Sequence, residues 1–230
     1  MNNNAAATPR DGALANTSDM VRHDGRNRRS AETRRKIIEA AKLMIAETGT
    51  APTVVGVARR ADVSVRSVFQ HFGDVESLFV TVFDDVRGAV NFFHPVAGEG
   101  VSGDGALPDR IDLVVDHLAE VFDKVVPLRI AAGQFGDTNS ALVERREAAH
   151  RDARSFLLQV FAKELNGLDE SARSEMTAAL EAALSIDSWI MLRRGSGLGF
   201  EQARAVWRRM ATALFDHART DSERVQLAHD

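Results

Sequence analysis

The stretch that decides the fold is Pro52–Phe72, PTVVGVARRADVSVRSVFQHF. Thr53 is a good N-cap, and Val54, Val57 and Ala58 after it fall on one helical face. Ser64 is a second cap, and Val68 and Phe72 behind it repeat at helical spacing. Between the two, Asp62 stands where the chain must turn sharply. A turn there favours glycine, and aspartate is among the few other residues that tolerate a left-handed conformation. Two short helices joined by a tight turn are therefore expected. Val68 and Phe72 point to the core, which leaves Val65, Arg66, Ser67, Phe69, Gln70 and His71 for the exposed side. This is the sequence form of a helix-turn-helix.

Upstream, Ser30 can cap a helix in which Ile37, Ala41, Met44 and Ile45 form one apolar stripe, with Gly49 as its stop. Residues 1–29 are polar and aperiodic and read as a flexible basic arm containing Arg22, Arg26, Arg28 and Arg29. Downstream, Asp74 can cap a helix from Val75 to Phe93. The glycine-rich run 97–109 reads as a loop. Helical segments are then expected at Arg110–Val126, ended or kinked by Pro127, and at Leu128–Phe135, Asn139–Leu165, Leu168–Arg194 and Glu201–Arg219. No alternating strand pattern stands out, so the reading is all-α with about nine helices.

The 230 residues suit a small head and a larger body. The net charge of −4 hides an asymmetry. Up to Phe72 there are twelve Lys/Arg against seven Asp/Glu, which leaves 17 basic and 26 acidic residues beyond it. A basic head on an acidic body fits a protein that presents one end to phosphates. No cysteine is present, so disulfides and thiolate metal sites are excluded. The seven histidines show no HxxxH or HExxH spacing, and no P-loop, Gly-x-Ser-x-Gly or dinucleotide fingerprint occurs. Neither an enzyme, a metal nor a cofactor is expected. No run approaches a membrane span or a signal-peptide core, so a cytoplasmic protein is the default.

Taken together, Ile37-Ile-Glu-Ala-Ala, Gly49, Thr53, Val57-Ala58, Ala61 to Phe72 and Glu76-Ser-Leu78 resemble the head of TetR-family transcriptional regulators over about 45 residues. Trp189, the run Arg193-Arg-Gly-Ser-Gly-Leu and Glu201-Gln-Ala203 resemble the last two helices of that family. The resemblance implies a three-helix DNA-binding head at 30–74, following the arm at 1–29. It also implies a ligand-binding and dimerisation body at 75–225, with two-fold dimers formed through the last two long helices. Three positions depart from the family pattern: Asp62 replaces a glycine, Phe69 a tyrosine that meets a phosphate, and Val75 a lysine that meets another. Losing the lysine lowers the salt dependence of binding by about one phosphate, a slope change of roughly 0.9.

Candidate residues follow. Arg66 suits guanine and Gln70 adenine, and Val65 suits a thymine methyl. Ser64, Ser67 and His71 suit phosphate oxygens, Phe69 shares their face, and Thr53 opens a helix whose N–H groups can meet a phosphate. A ligand pocket for a small apolar or amphipathic molecule is expected among Phe92, Phe93, His117, Phe122, Gln134, Phe135, Phe156 and Trp189. Leu180 and Leu184 on one helix and Val206, Trp207, Met210 and Leu214 on the next are expected at a homodimer interface. The leading expectation is a dimeric repressor on a palindromic operator, released by a small molecule. The alternative is a ligand-independent architectural or nucleoid-type DNA-binding protein.

Overall fold

The structure is a computed structural model that describes the backbone of residues 14–89, 105–136 and 139–227, and side chains within these from residue 27 to 220. Every regular element there is helical. In order they are α1 (Leu14–Thr48), α2 (Val54–Ala61), α3 (Val65–Phe72), α4 (Val75–Ala89), α5 (Leu107–Gly133), α6 (Ser140–Val160), α7 (Ala162–Leu165), α8 (Glu170–Ala183), α9 (Ile186–Ile190), a π-helical turn (Met191–Gly195) and α10 (Phe200–Leu227). The all-α expectation holds.

Several boundaries differ from the expectation. Ser30 caps nothing, because α1 begins at Leu14 and runs 35 residues, about 50 Å. The segment 14–29 is therefore helical rather than an unstructured arm. It contains no proline, and extending an existing helix needs no new nucleus. Residues 1–13 lie outside the described residues, as do Val90–Phe93 and residues 97–104 of the expected loop. Pro127 does not end its helix: α5 runs 27 residues through it. The lost N–H costs one backbone bond. Val125, Val126, Leu128 and Ala131 on either side are all buried, and that burial holds the helix together. Phe161 interrupts the expected 139–165 helix, and the expected 168–194 helix is α8, α9 and the π turn.

Two cores result. The body core gathers on α5, which packs on α9 and α10 and whose Ile111, Val114, Val115, Leu118, Phe122 and Val125 share one buried cluster with residues of α6 and α8. Trp189 and Trp207 pack there with centroids 4.7 Å apart and ring planes tilted by 54°, with Phe122 edge-on to Trp207 at 5.8 Å. Each indole N–H is satisfied, Trp189 Nε1 by Asp123 (3.3 Å) and Trp207 Nε1 by Ser188 Oγ (3.1 Å). Arg110, 2% exposed, ties α5 to α7: it donates to the Val160 carbonyl (2.8 Å) and to both carboxylate oxygens of Glu164.

The head core packs Ile37, Ala41 and Ile45 of α1 against Val57 and Ala58 of α2, Val68 and Phe72 of α3, and Leu78, Phe79 and Val82 of α4. Leu128 and Ala131 of α5 and Leu142 of α6 complete it. Packing thus continues past residue 74, and α4 belongs to both halves.

Candidate functional sites

The head is built by its caps. Thr53 is extended (φ −85°, ψ 146°) and its hydroxyl accepts from the Gly56 N–H at 3.1 Å. A Cβ at Gly56 would sit 2.6 Å from Met44 Cε and 3.0 Å from Thr53 Oγ1, so the end of the Met44 side chain would have to shift to admit one. The α2–α3 turn is made by Asp62 at φ +54°, ψ +51°, the one non-glycine with positive φ among the described residues. The Val63 N–H then reaches back to the Ala58 carbonyl at 3.0 Å. Ser64 Oγ accepts from the Ser67 N–H at 3.1 Å and opens α3. Asp74 Oδ1 accepts from the Ser77 N–H at 2.7 Å, and that backbone bond holds the Asp74 carboxyl below its ordinary value.

This framework fixes what α3 shows to solvent. Val68 and Phe72 face inward. Ser64, Val65, Arg66, Phe69 and Gln70 are exposed, while Ser67 and His71 are half-buried. Val65 keeps 39% and Phe69 49% of its surface in water, and Val55 on α2 keeps 57%, all large for apolar side chains. Arg66 makes no ion pair among the described residues. Arg60, by contrast, is bound at both nitrogens by Glu47 (2.6 Å each), and its guanidinium holds that carboxyl below its ordinary value. Lys42 is engaged by Asp85 (2.8 Å) and Glu39 (3.0 Å).

The body holds a cavity of about 430 Å³. Phe83 and Val86 of α4, Leu118, Phe122, Val125 and Leu128 of α5, and Leu142, Phe156 and Leu157 of α6 make its apolar wall, closed by Leu184 and Ile186. Arg87, Arg129, Arg146, His150, Glu181 and Asp187 add charge-bearing or polar groups. A cavity mostly apolar, with a few polar groups, is the usual form of a small-molecule site.

Of the residues expected at a pocket, Phe122 and Phe156 line this cavity, while His117, Gln134, Phe135 and Trp189 lie elsewhere. Trp189 is fully buried in the body core. Phe135 packs on Phe79 at 4.8 Å. Gln134 Oε1 accepts from the Ala51 N–H at 2.9 Å, linking α5 to the loop before α2. The His117 ring lies 6.2 Å from that of Phe156. Phe92 and Phe93 are outside the described residues. Arg87, Arg129 and Arg146 had no distinguishing sequence signal: arginines on amphipathic helices are ordinarily solvated.

The expected interface residues divide in the same way. Leu180, Leu184 and Trp207 are 0%, 3% and 0% exposed inside the single chain, so a partner could not reach them. They supply the chain's own core, which the apolar spacing alone could not distinguish from an interface. Val206, Met210 and Leu214 remain half-buried on α10.

Among the described residues no cluster of three or more His, Asp or Glu is placed to hold a metal, and no helix is long and apolar enough to cross a membrane.

Residues 37–82 match the family profile described as bacterial regulatory proteins, tetR family. No curated protein matches the chain. Among solved structures, one described as a TetR-family transcriptional regulator from Rhodococcus sp. is similar in fold (TM-score 0.58, 17% identity, covering 80% of this chain and 99% of that one). The multidrug binding protein EbrR complexed with imidazole also matches, at TM-score 0.46 and 20% identity over 78% of this chain and 89% of that one. The head, capped and turned as described, is therefore similar to that of the tetR family of bacterial regulatory proteins over residues 37–82.

Proposed function

We propose that the chain is a dimeric repressor whose two heads read a palindromic operator and are released from it by a small molecule. The observation that carries this reading is the shared helix α4. It sends Leu78, Phe79 and Val82 into the head core and Phe83, Val86 and Arg87 onto the cavity wall. A molecule that fills the cavity bears directly on α4, and only Gly73 and Asp74 separate α4 from α3. Differential affinity of that molecule for two head spacings then sets the DNA-competent population.

In this reading Arg66 and Gln70 meet base edges and Val65 a thymine methyl. Thr53, Ser64, Ser67 and His71 meet phosphates. Phe69, without a hydroxyl, packs on sugar and base rather than bonding to phosphate. Two heads about 34 Å apart are needed for successive major grooves, so a dimer is required. Val206, Met210 and Leu214 on α10 supply apolar surface for it. The scheme needs no catalytic step and no cofactor, and it places the protein with the chromosome in the cytoplasm.

The test is a selection of random DNA duplexes with the full chain. A two-fold symmetric site bound by two chains is expected. No enriched sequence, or a site bound by a single chain, overturns the reading.

A further inference from the structure

Resting on the reading that the head binds DNA, we propose that Gln134, in the body, is a positioning residue for that binding. It holds Ala51, and through Ala51 it sets where Thr53 presents the start of α2 to a phosphate. The segment it acts on joins two helices of the head: α1 ends at Thr48 and α2 begins at Val54. At its first end this segment is tied to α1. The Gly49 N–H reaches the Ile45 carbonyl (2.8 Å) and the Thr50 N–H reaches the Thr48 hydroxyl (3.2 Å). The next donor, the Ala51 N–H, goes instead to Gln134 Oε1 at 2.9 Å, 83 residues along the chain.

Pro52 makes that bond matter. A proline has no N–H, its φ is locked, and it confines the residue before it to extended backbone. Pro52 is also buried. Ala51-Pro52 is therefore a stiff pair, and a bond that fixes Ala51 fixes the entry to Thr53. Thr53 is exposed and caps α2 through the Gly56 N–H. Gln134 is itself well held. It closes α5, with its N–H on the Ala131 carbonyl (3.1 Å). Its neighbour Phe135 packs on Phe79 of the head core at 4.8 Å, and Leu128 and Ala131 in the preceding turn are buried in that same core. The end of α5 thus stands on the head, and Gln134 is the side chain by which it grips the loop before α2. This contact reaches α2 without passing through α4. Gln134 itself is exposed, so cutting the bond leaves both cores intact.

The test uses the full chain, with amide hydrogen exchange at Ala51 and affinity for the selected duplex as readouts. Gln134→Met keeps the length of the side chain and loses the acceptor. In it, exchange at Ala51 is expected to quicken and DNA affinity to fall, each by about 3- to 10-fold, the usual contribution of one hydrogen bond. Gln134→Glu keeps an acceptor and should restore slow exchange, which a general loosening of the fold would not allow. Because the effect passes through Thr53, adding Gln134→Met to Thr53→Ala should lower affinity little further. Unchanged exchange in Gln134→Met overturns the bond. Quickened exchange with unchanged DNA affinity overturns the positioning role and leaves the DNA reading standing, and fully additive losses overturn the route through Thr53. A full chain that enriches no duplex sinks the DNA reading, and this role with it.

Discussion

The head and the body use the same kind of element for opposite ends. In the head, α2 and α3 are eight residues each, too short to stand alone, and the sequence specifies nearly every junction. Thr53, Ser64 and Asp74 each bond a named backbone N–H, and Asp62 fixes the turn. In the body, α5, α6 and α10 run 21 to 28 residues and leave a cavity beside α5. There the junctions matter less than the long-range ties, such as Arg110 to Glu164. The contrast teaches that the head is defined by local chemistry, while the body is a frame defined by packing and ion pairs between distant segments.

Substitutions at four positions probe that contrast, from the largest expected effect to the smallest. Arg110→Ala strikes the body frame. Removing one partner of a buried pair costs about 3–5 kcal/mol. Glu164 keeps 22% of its side chain exposed, so water recovers part of that, and about 3 kcal/mol is expected in urea unfolding. A loss below about 1 kcal/mol would show that local packing, not the tie, holds the body.

Asp62→Ala strikes the head turn. A side chain without aspartate's polar group at φ +54° costs about 1–2 kcal/mol, and Asp62→Gly should be neutral or better, both read from the thermal midpoint. Ser64→Ala removes the cap of α3 and should cost about 1 kcal/mol, with DNA affinity falling as α3 frays. If that substitution changed neither property, α3 would be held by packing alone, and the head would resemble the body.

The smallest effect is on pH dependence. The Asp74 carboxyl titrates below its ordinary value because it accepts the Ser77 N–H. Its contribution is therefore fully present above the ordinary aspartate range and is lost as the pH falls through the lower folded value. Asp74→Asn should flatten the stability profile in that acidic window and change little near neutrality, as unfolding at a series of pH values would reveal.

The same contrast explains what the sequence made legible. Caps, turn and core face of the head could be read in Thr53, Asp62, Ser64, Val68 and Phe72, because each acts on its immediate neighbours. The body's fold class could be read from its helical periodicity. Its cavity could not, because Phe122 and Phe156 on the wall have the same spacing as Phe161 in solid core. Leu180 and Trp207 were equally ambiguous between core and interface, since a helix shows the same stripe to either. The arginines at 87, 129 and 146 gain meaning only from partners 58 or more residues away or from a wall that tertiary packing builds. The early start of α1 was missed for a different reason: residues 14–29 have no apolar stripe, and their helix is an extension of one nucleated further on.

The central claim is that α3 reads DNA through the side chains that the caps and the Asp62 turn direct outward. Its most direct measurement is the affinity of the selected duplex for the unmodified chain and for Arg66→Ala, at one fixed salt concentration. A loss of roughly 5- to 150-fold, with preference relaxed at one base pair in each half-site, is the predicted result. Unchanged affinity together with an unchanged base preference would contradict it.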